Sequence, residues 1–176
     1  MACNLTTGRK IPCKSAFGGI KTVLFANFGT IASVSTVPAT GISTITNGSP
    51  APVWFEYDVK GVSSLETTVT SSRDNGTTFY TQTLNLTLTF LDALTNQELQ
   101  ILAVARPYIA VVDYYGNTFL CGLENGMECT GGTVVTGAAA GDLSGFTLTF
   151  EGMEETAPLF LNATPTASSS QIAPTG

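Results

Sequence analysis

Histidine is absent from all 176 residues, which removes the side chain that most often works as a general base near neutral pH and the commonest nitrogen ligand of zinc. Charge is scarce as well. Asp, Glu, Lys and Arg make up 11% of the chain, against about 25% in an ordinary soluble domain. Positive charge is the scarcer sign: 7 Lys and Arg face 13 Asp and Glu, for a net charge of −6 and a pI near 4.4. That balance is wrong for neutralising phosphates and excludes tight nucleic-acid binding. No apolar run approaches the roughly 20 residues that a spanning helix needs, and residues 1–14 lack the apolar stretch of a signal peptide. The protein is therefore expected to stay where it is made, with no membrane partner. Cys3, Cys13, Cys121 and Cys129 are expected as reduced thiols, and neither the first pair nor the second has metal-site spacing. Cys121 has no basic neighbour in sequence to activate it and reads as a small buried hydrophobe. No metal, cofactor or catalytic residue is expected, and the chain reads as something other than an enzyme.

The remaining chemistry-bearing residues also take structural readings. The doublets Gly18-Gly19 and Gly131-Gly132 lack the residues of a phosphate loop and read as turns. Glu124, Glu128, Glu151, Glu154 and Glu155 have no shared geometry in sequence and are assigned to solvated turns and edges. The Asn-x-Thr sequons at Asn4, Asn75, Asn85 and Asn162 carry no glycan without a secretory route. Arg9, Lys10, Lys14 and Lys21 gather most of the positive charge near the start, which suits pairing between subunits of an otherwise acidic protein.

What fills the sequence instead is Thr, Ser, Asn, Gly and 43% hydrophobic residues, arranged mostly with the two-residue period of β-strands. Residues 19–28 form a buried strand, residues 30–52 a hairpin or projecting loop ending at Asn47-Gly48, and residues 53–62 a strand. Asp74-Asn75-Gly76 is a tight-turn signal between residues 62–69 and 77–80. Residues 83–90 (TLNLTLTF) place Leu84, Leu86, Leu88 and Phe90 on one face and Thr83, Asn85, Thr87 and Thr89 on the other. Thr95-Asn96-Gln97-Glu98 reads as a capping box, with Thr95 and Glu98 exchanging hydrogen bonds. The helix expected over residues 96–105 ends before Pro107, and its Leu99, Ile101, Leu102, Val104 and Ala105 leave so little polar surface that packing on more than one side is expected. A meander of strands covers residues 108–136, and residues 145–152 (GFTLTFEG) repeat the earlier alternation. The chain divides into an extension (1–18), a β domain (19–161) and a disordered tail (162–176). The fold class is mainly β: two packed antiparallel sheets, a small barrel or sandwich, with one short flanking α-helix.

A polar-faced strand, a short capped helix, a strand-turn-strand passing through Gly122-Leu123-Glu124-Asn125-Gly126-Met127-Glu128-Cys129-Thr130, a small-residue loop with Gly141-Asp142, and then Gly145-Phe146-Thr147-Leu148-Thr149-Phe150-Glu151-Gly152 together form an order that resembles the tail tube proteins of long-tailed bacteriophages and the related tube of type VI secretion. The similarity covers roughly residues 84–160. It implies a homo-oligomer of hexameric rings, stacked into the conduit for genome passage in the virion tail, made in the host cytoplasm. Partners would be further copies of itself, other tail and connector proteins, and DNA as a passenger that does not stick. Thr83, Asn85, Thr87, Thr89, Thr147 and Thr149 are the candidate lumen residues, and a neighbouring subunit is the alternative they face. Residues 1–17, 30–52 and 61–80 are candidate contacts between rings, on the strength of apolar Ile31, Val34, Ile42 and Ile45 in polar surroundings. Two other readings use the same kind of domain. One is a head-to-tail adaptor, tail terminator or capsid decoration protein. The other is a carbohydrate-binding sandwich with Trp54, Tyr57, Tyr114 and Tyr115 as an exposed platform.

Overall fold

A computed structural model describes residues 17–59 and 62–168, together with Gly8, Arg9 and Lys14. Along the described chain run β1 (Ile20–Ala26), β2 (Ile31–Val37), β3 (Ile42–Asn47), β4 (Trp54–Asp58), β5 (Ser64–Ser72), β6 (Thr77–Thr89), α1 (Ala93–Val104), β7 (Tyr108–Asp113), β8 (Thr118–Cys121), β9 (Glu128–Val135), β10 (Gly145–Glu154) and β11 (Leu159–Leu161). The strands form a seven-stranded sheet, β2-β3-β11-β8-β7-β1-β4, and a four-stranded sheet, β5-β6-β10-β9. Pairing is antiparallel except where β11 runs parallel to β3. The mainly-β fold with two packed sheets and one short helix is what the chain adopts.

Alternation decides which faces meet. Leu84, Leu86 and Leu88 on β6 and Phe146 and Phe150 on β10 point inward, and they join Val23, Phe25, Ile109, Val111 and Met127 in one core between the sheets. The central strands β1 and β7 of the large sheet are apolar on both faces, as strands covered on both sides are. Their second face supports another core of Leu24, Ala26, Trp54, Tyr108, Ala110, Leu120 and Leu161. The β2-β3 hairpin supplies its cover through half-buried Ile31, Val34 and Ile45.

This second core explains three departures from expectation. Ile31, Val34 and Ile45 cover it, so of the four apolar residues proposed for ring contacts only Ile42 belongs to the exposed set. Trp54 is buried there while Tyr57 packs on the other core, so the two share no platform. The chain past residue 161, expected to be disordered, stays attached through Ser168. Asn162 N–H donates to the Ser43 carbonyl (2.8 Å), the Thr164 and Thr118 hydroxyls pair (2.8 Å), and Ala167 bridges Trp54. Residues 169–176 lie outside the described residues, as do residues 1–7, 10–13, 15–16 and 60–61.

Other boundaries shift for local reasons. The segments expected as 77–80 and 83–90 are one continuous strand, β6, because β5 pairs along it from Thr77 to Asn85 without a break. Phe90 lies past the end of β6 rather than on its core face. The β2-β3 turn falls at residues 38–41, and Gly48 instead ties the hairpin base by donating to the Thr30 carbonyl (2.8 Å). Gly131-Gly132 sits inside β9, where a Cβ on Gly132 would lie 2.6 Å from the Thr147 carbonyl oxygen. Close approach of β9 and β10, not a turn, calls for glycine there. The expected meander splits, with β7 and β8 in the large sheet and β9 in the small one.

The helix starts three residues earlier than residue 96. Asp92 is its N-cap, and the Asp92 carboxylate accepts the Leu94 and Thr95 N–H groups (3.0 and 3.1 Å). The Thr95/Glu98 capping box does not form, because the helix begins one turn upstream, where the Asp92 carboxylate takes the Thr95 N–H that Glu98 would have accepted and suits the positive helix end. Glu98 instead lies near Tyr57, whose phenol is pushed up by burial and then by that negative charge. Leu99 alone of the helix residues is buried, so within one chain the helix packs on one side only.

Candidate functional site

The six polar residues singled out in sequence come together on the outer face of the four-stranded sheet. Thr87 stands opposite Thr147, Asn85 opposite Thr149, Thr83 opposite Glu151 and Thr89 opposite Gly145. β5 adds Ser64 and Glu66 opposite Asn85 and Thr83, and β9 adds Thr133 opposite Thr147. Cross-strand hydrogen bonds knit the face. Thr149 Oγ1 donates to Asn85 Oδ1 (3.0 Å), the Thr133 and Thr147 hydroxyls pair, and Thr87 Oγ1 donates to the Val62 carbonyl (3.0 Å). None of the four strands contains Lys or Arg. The result is a broad hydroxyl and amide surface whose only charges are acidic. Among the described residues, the edge strands β5 and β9 each pair with a single neighbour.

Within this sheet Val69, Val134 and Met153 are also exposed, and further large apolar side chains are exposed away from it. Leu94, Ile101 and Val104 on α1, with Phe90 and Leu91 just before it, lie on the β9 side of the molecule, where α1 packs. Val37 and Ile42 project at the β2-β3 turn. An apolar cavity of ≈ 570 Å³ opens behind β5. Arg106 lies 5.4 Å from the Phe28 ring centre, donates to the Asn125 carbonyl, and sits 3.4 Å from the Glu128 carboxylate.

The passage of the chain from one sheet to the other, residues 122–127, is held by two buried polar side chains that sequence reasoning placed on the surface or passed over. Glu154 is 2% exposed, and its carboxylate accepts the Glu124 and Asn125 N–H groups, each at 2.9 Å. Burial pushes this carboxyl up from its ordinary value while the two amide donors pull it down. Gln82 Oε1 accepts the Gly122 N–H (3.1 Å), and its amide donates to the Thr156 carbonyl (3.3 Å). Glycine is required at residue 122, where φ is +70° and a Cβ would lie 2.8 Å from Met127. Both buried side chains were reachable by carrying the alternation onward: Gln82 precedes Leu84 by two residues, and Glu154 follows Phe150 by four.

The thiol of Cys121 is fully buried and pushed up to about 12, by burial first and then by the Glu154 charge. It packs as a small hydrophobe; Cys3 and Cys13 lie outside the described residues. Among the described residues no group of three or more His, Cys, Asp or Glu side chains is placed to hold a metal ion, and no helix is long and apolar enough to cross a membrane. Set against known proteins, the chain matches no family model, no curated protein and no solved structure.

Proposed function

We propose that this chain is a structural virion subunit, a tail tube protein that builds stacked, ring-shaped homo-oligomers forming a channel for genome passage. The observation that carries the proposal is the Thr/Asn face of the four-stranded sheet, free of Lys and Arg and bounded by edge strands that, among the described residues, each pair on one side only. A wall of hydroxyl, amide and acidic groups offers phosphates no sustained attraction, so DNA in contact with it slides without being held. Sheet edges open among the described residues and a charge fraction of 11% are costly features for a solitary soluble chain, and both suit a subunit covered by its neighbours. The order of elements along residues 84–160 is the order that suggested the tail tube family in the sequence. In this reading the projecting β2-β3 turn, with exposed Val37 and Ile42, meets the adjacent ring.

Electron microscopy of the purified protein over a range of concentrations, paired with light scattering to count subunits, tests the proposal. Hollow rings or tubes with the β6 and β10 threonines inside are the expected outcome. A particle that stays monomeric and never adds to purified tail-tip complexes refutes it and favours an adaptor or decoration role.

A further inference from the structure

Helix α1 carries two apolar stripes, and the chain uses one of them. At about 100° per residue, Thr95, Leu99 and Leu102 fall on the side that packs against the core, with Leu99 buried and the other two half-buried. Leu94, Ile101 and Val104, joined by Ala93 and Gln97, fall on the opposite side and are 58%, 58% and 87% exposed in the case of the three large residues. Leu91 and Phe90 adjoin the N-terminal end of this outer stripe. Phe90 has φ +69° and is 67% exposed. A bulky side chain rarely takes that backbone conformation, and burial within its own chain does not compensate for it here.

The opposite edge of the small sheet carries an apolar cavity. The cavity of ≈ 570 Å³ behind β5 is lined by Ile20, Leu65, Val111, Phe119, Pro158 and Phe160. Asp113 is the one charged residue among its described lining residues, and its carboxylate is already engaged by the Asn117 N–H (2.7 Å) and side-chain amide (2.9 Å). β5 and β9 are the two ends of the sheet, and α1 packs beside β9. A convex apolar ridge and a concave apolar cavity thus occupy opposite edges of one molecule.

We infer that the outer stripe of α1, led by Val104 and Ile101, docks into the β5-side cavity of a second copy of this chain. The contact is heterologous: ridge meets cavity and never itself, so each added copy presents a fresh ridge and a fresh cavity, and the series closes into a ring if the rotation allows. The occupant is a second copy because every copy carries both an exposed apolar stripe and an apolar cavity, on opposite edges where one chain cannot bring its own together, and because neither brings an unpaired charge to the centre of the contact. That matters for association between chains that each carry −6. The inference rests on the homomeric assembly proposed above and adds which surfaces make it.

The test uses the full chain with a photoreactive benzophenone side chain in place of Val104 or, in a second variant, of Gln97. Isotopically light and heavy protein are mixed, irradiated where light scattering reports assembly, and the adducts mapped by mass spectrometry. Mixed light–heavy adducts at residues 63–67, 119 or 157–160 are expected. In parallel, Val104→Asp and Ile101→Asp alter exposed positions, and each is expected to raise the concentration needed for assembly by about tenfold or more. Assemblies whose adducts map elsewhere on a second copy overturn this docking and leave the assembly proposal standing. Adducts at those residues without any mixed light–heavy pairs also overturn it, since the stripe then meets the cavity of its own chain. A wild-type protein that stays monomeric at every concentration overturns both.

Discussion

Glu154 is the side chain on which the passage between the sheets most depends. Its two carboxylate oxygens answer two backbone N–H groups, one each. Glu154→Gln keeps the shape but turns an NH₂ group toward one of those donors. The expected cost is about 1–3 kcal/mol, the range for leaving a buried polar group unsatisfied, read as a lower urea midpoint at unchanged slope. The pH dependence has a definite sign. Burial raises the folded-state value of this carboxyl above the unfolded one, so the folded chain binds the proton more readily. Its contribution to stability is therefore full below the unfolded value, about 4.3, and is lost as pH rises through the raised folded value. Urea midpoints across that window should show this component in the wild type and not in Glu154→Gln. The residue was legible by period alone, since strict alternation from Phe146 and Phe150 puts position 154 inside. What hid it is that a carboxylate is almost never fully buried unless partnered, and its partners are backbone groups of a loop distant in sequence.

At the scale of elements, strands were readable and connections were not. The Thr/Leu alternation of β6 and β10 fixed both the faces and the shared polar surface before any contact was known, because one face of each is core and the other is not. The three-residue β11 left no periodic trace, being too short for a pattern and held by pairing with β3 and β8. The helix was found but started too late, since Thr95 and Glu98 match a capping box while Asp92 competes for the Thr95 N–H. The two caps make opposite predictions. Asp92→Ala should cost about 1 kcal/mol, measured by chemical denaturation, whereas Thr95→Ala should stay within the roughly ±0.5 kcal/mol of an ordinary surface change. The reverse order would restore the capping box. The expectation that α1 be packed on more than one side fails within the monomer, and the unused stripe is the reason to look beyond it.

For the whole molecule, the separation of charge types matters more than the total. All four strands of the small sheet lack Lys and Arg, and if their outer face lines a channel its indifference to DNA is removable. Thr83→Lys combined with Thr149→Lys is expected to leave assembly intact and to make assembled particles retain short duplex DNA at about 50 mM salt, with release as salt rises toward about 200 mM. Filter binding at several salt concentrations reads this directly. Unchanged, negligible retention by assembled double-lysine particles would show that this face looks away from the lumen.

The large sheet also sets a timetable. β1 finds its partner β7 only after β2 to β6 and the helix have been synthesised, and β11, the last of the described strands, joins β3 to β8. At translation rates of about 5–20 residues per second, the first core waits for Phe150 and the second for Leu161. If the proposed docking holds, a growing chain carries the outer stripe of α1 well before Pro158 and Phe160 line its cavity, so it is unable to receive a neighbour until those residues have been made.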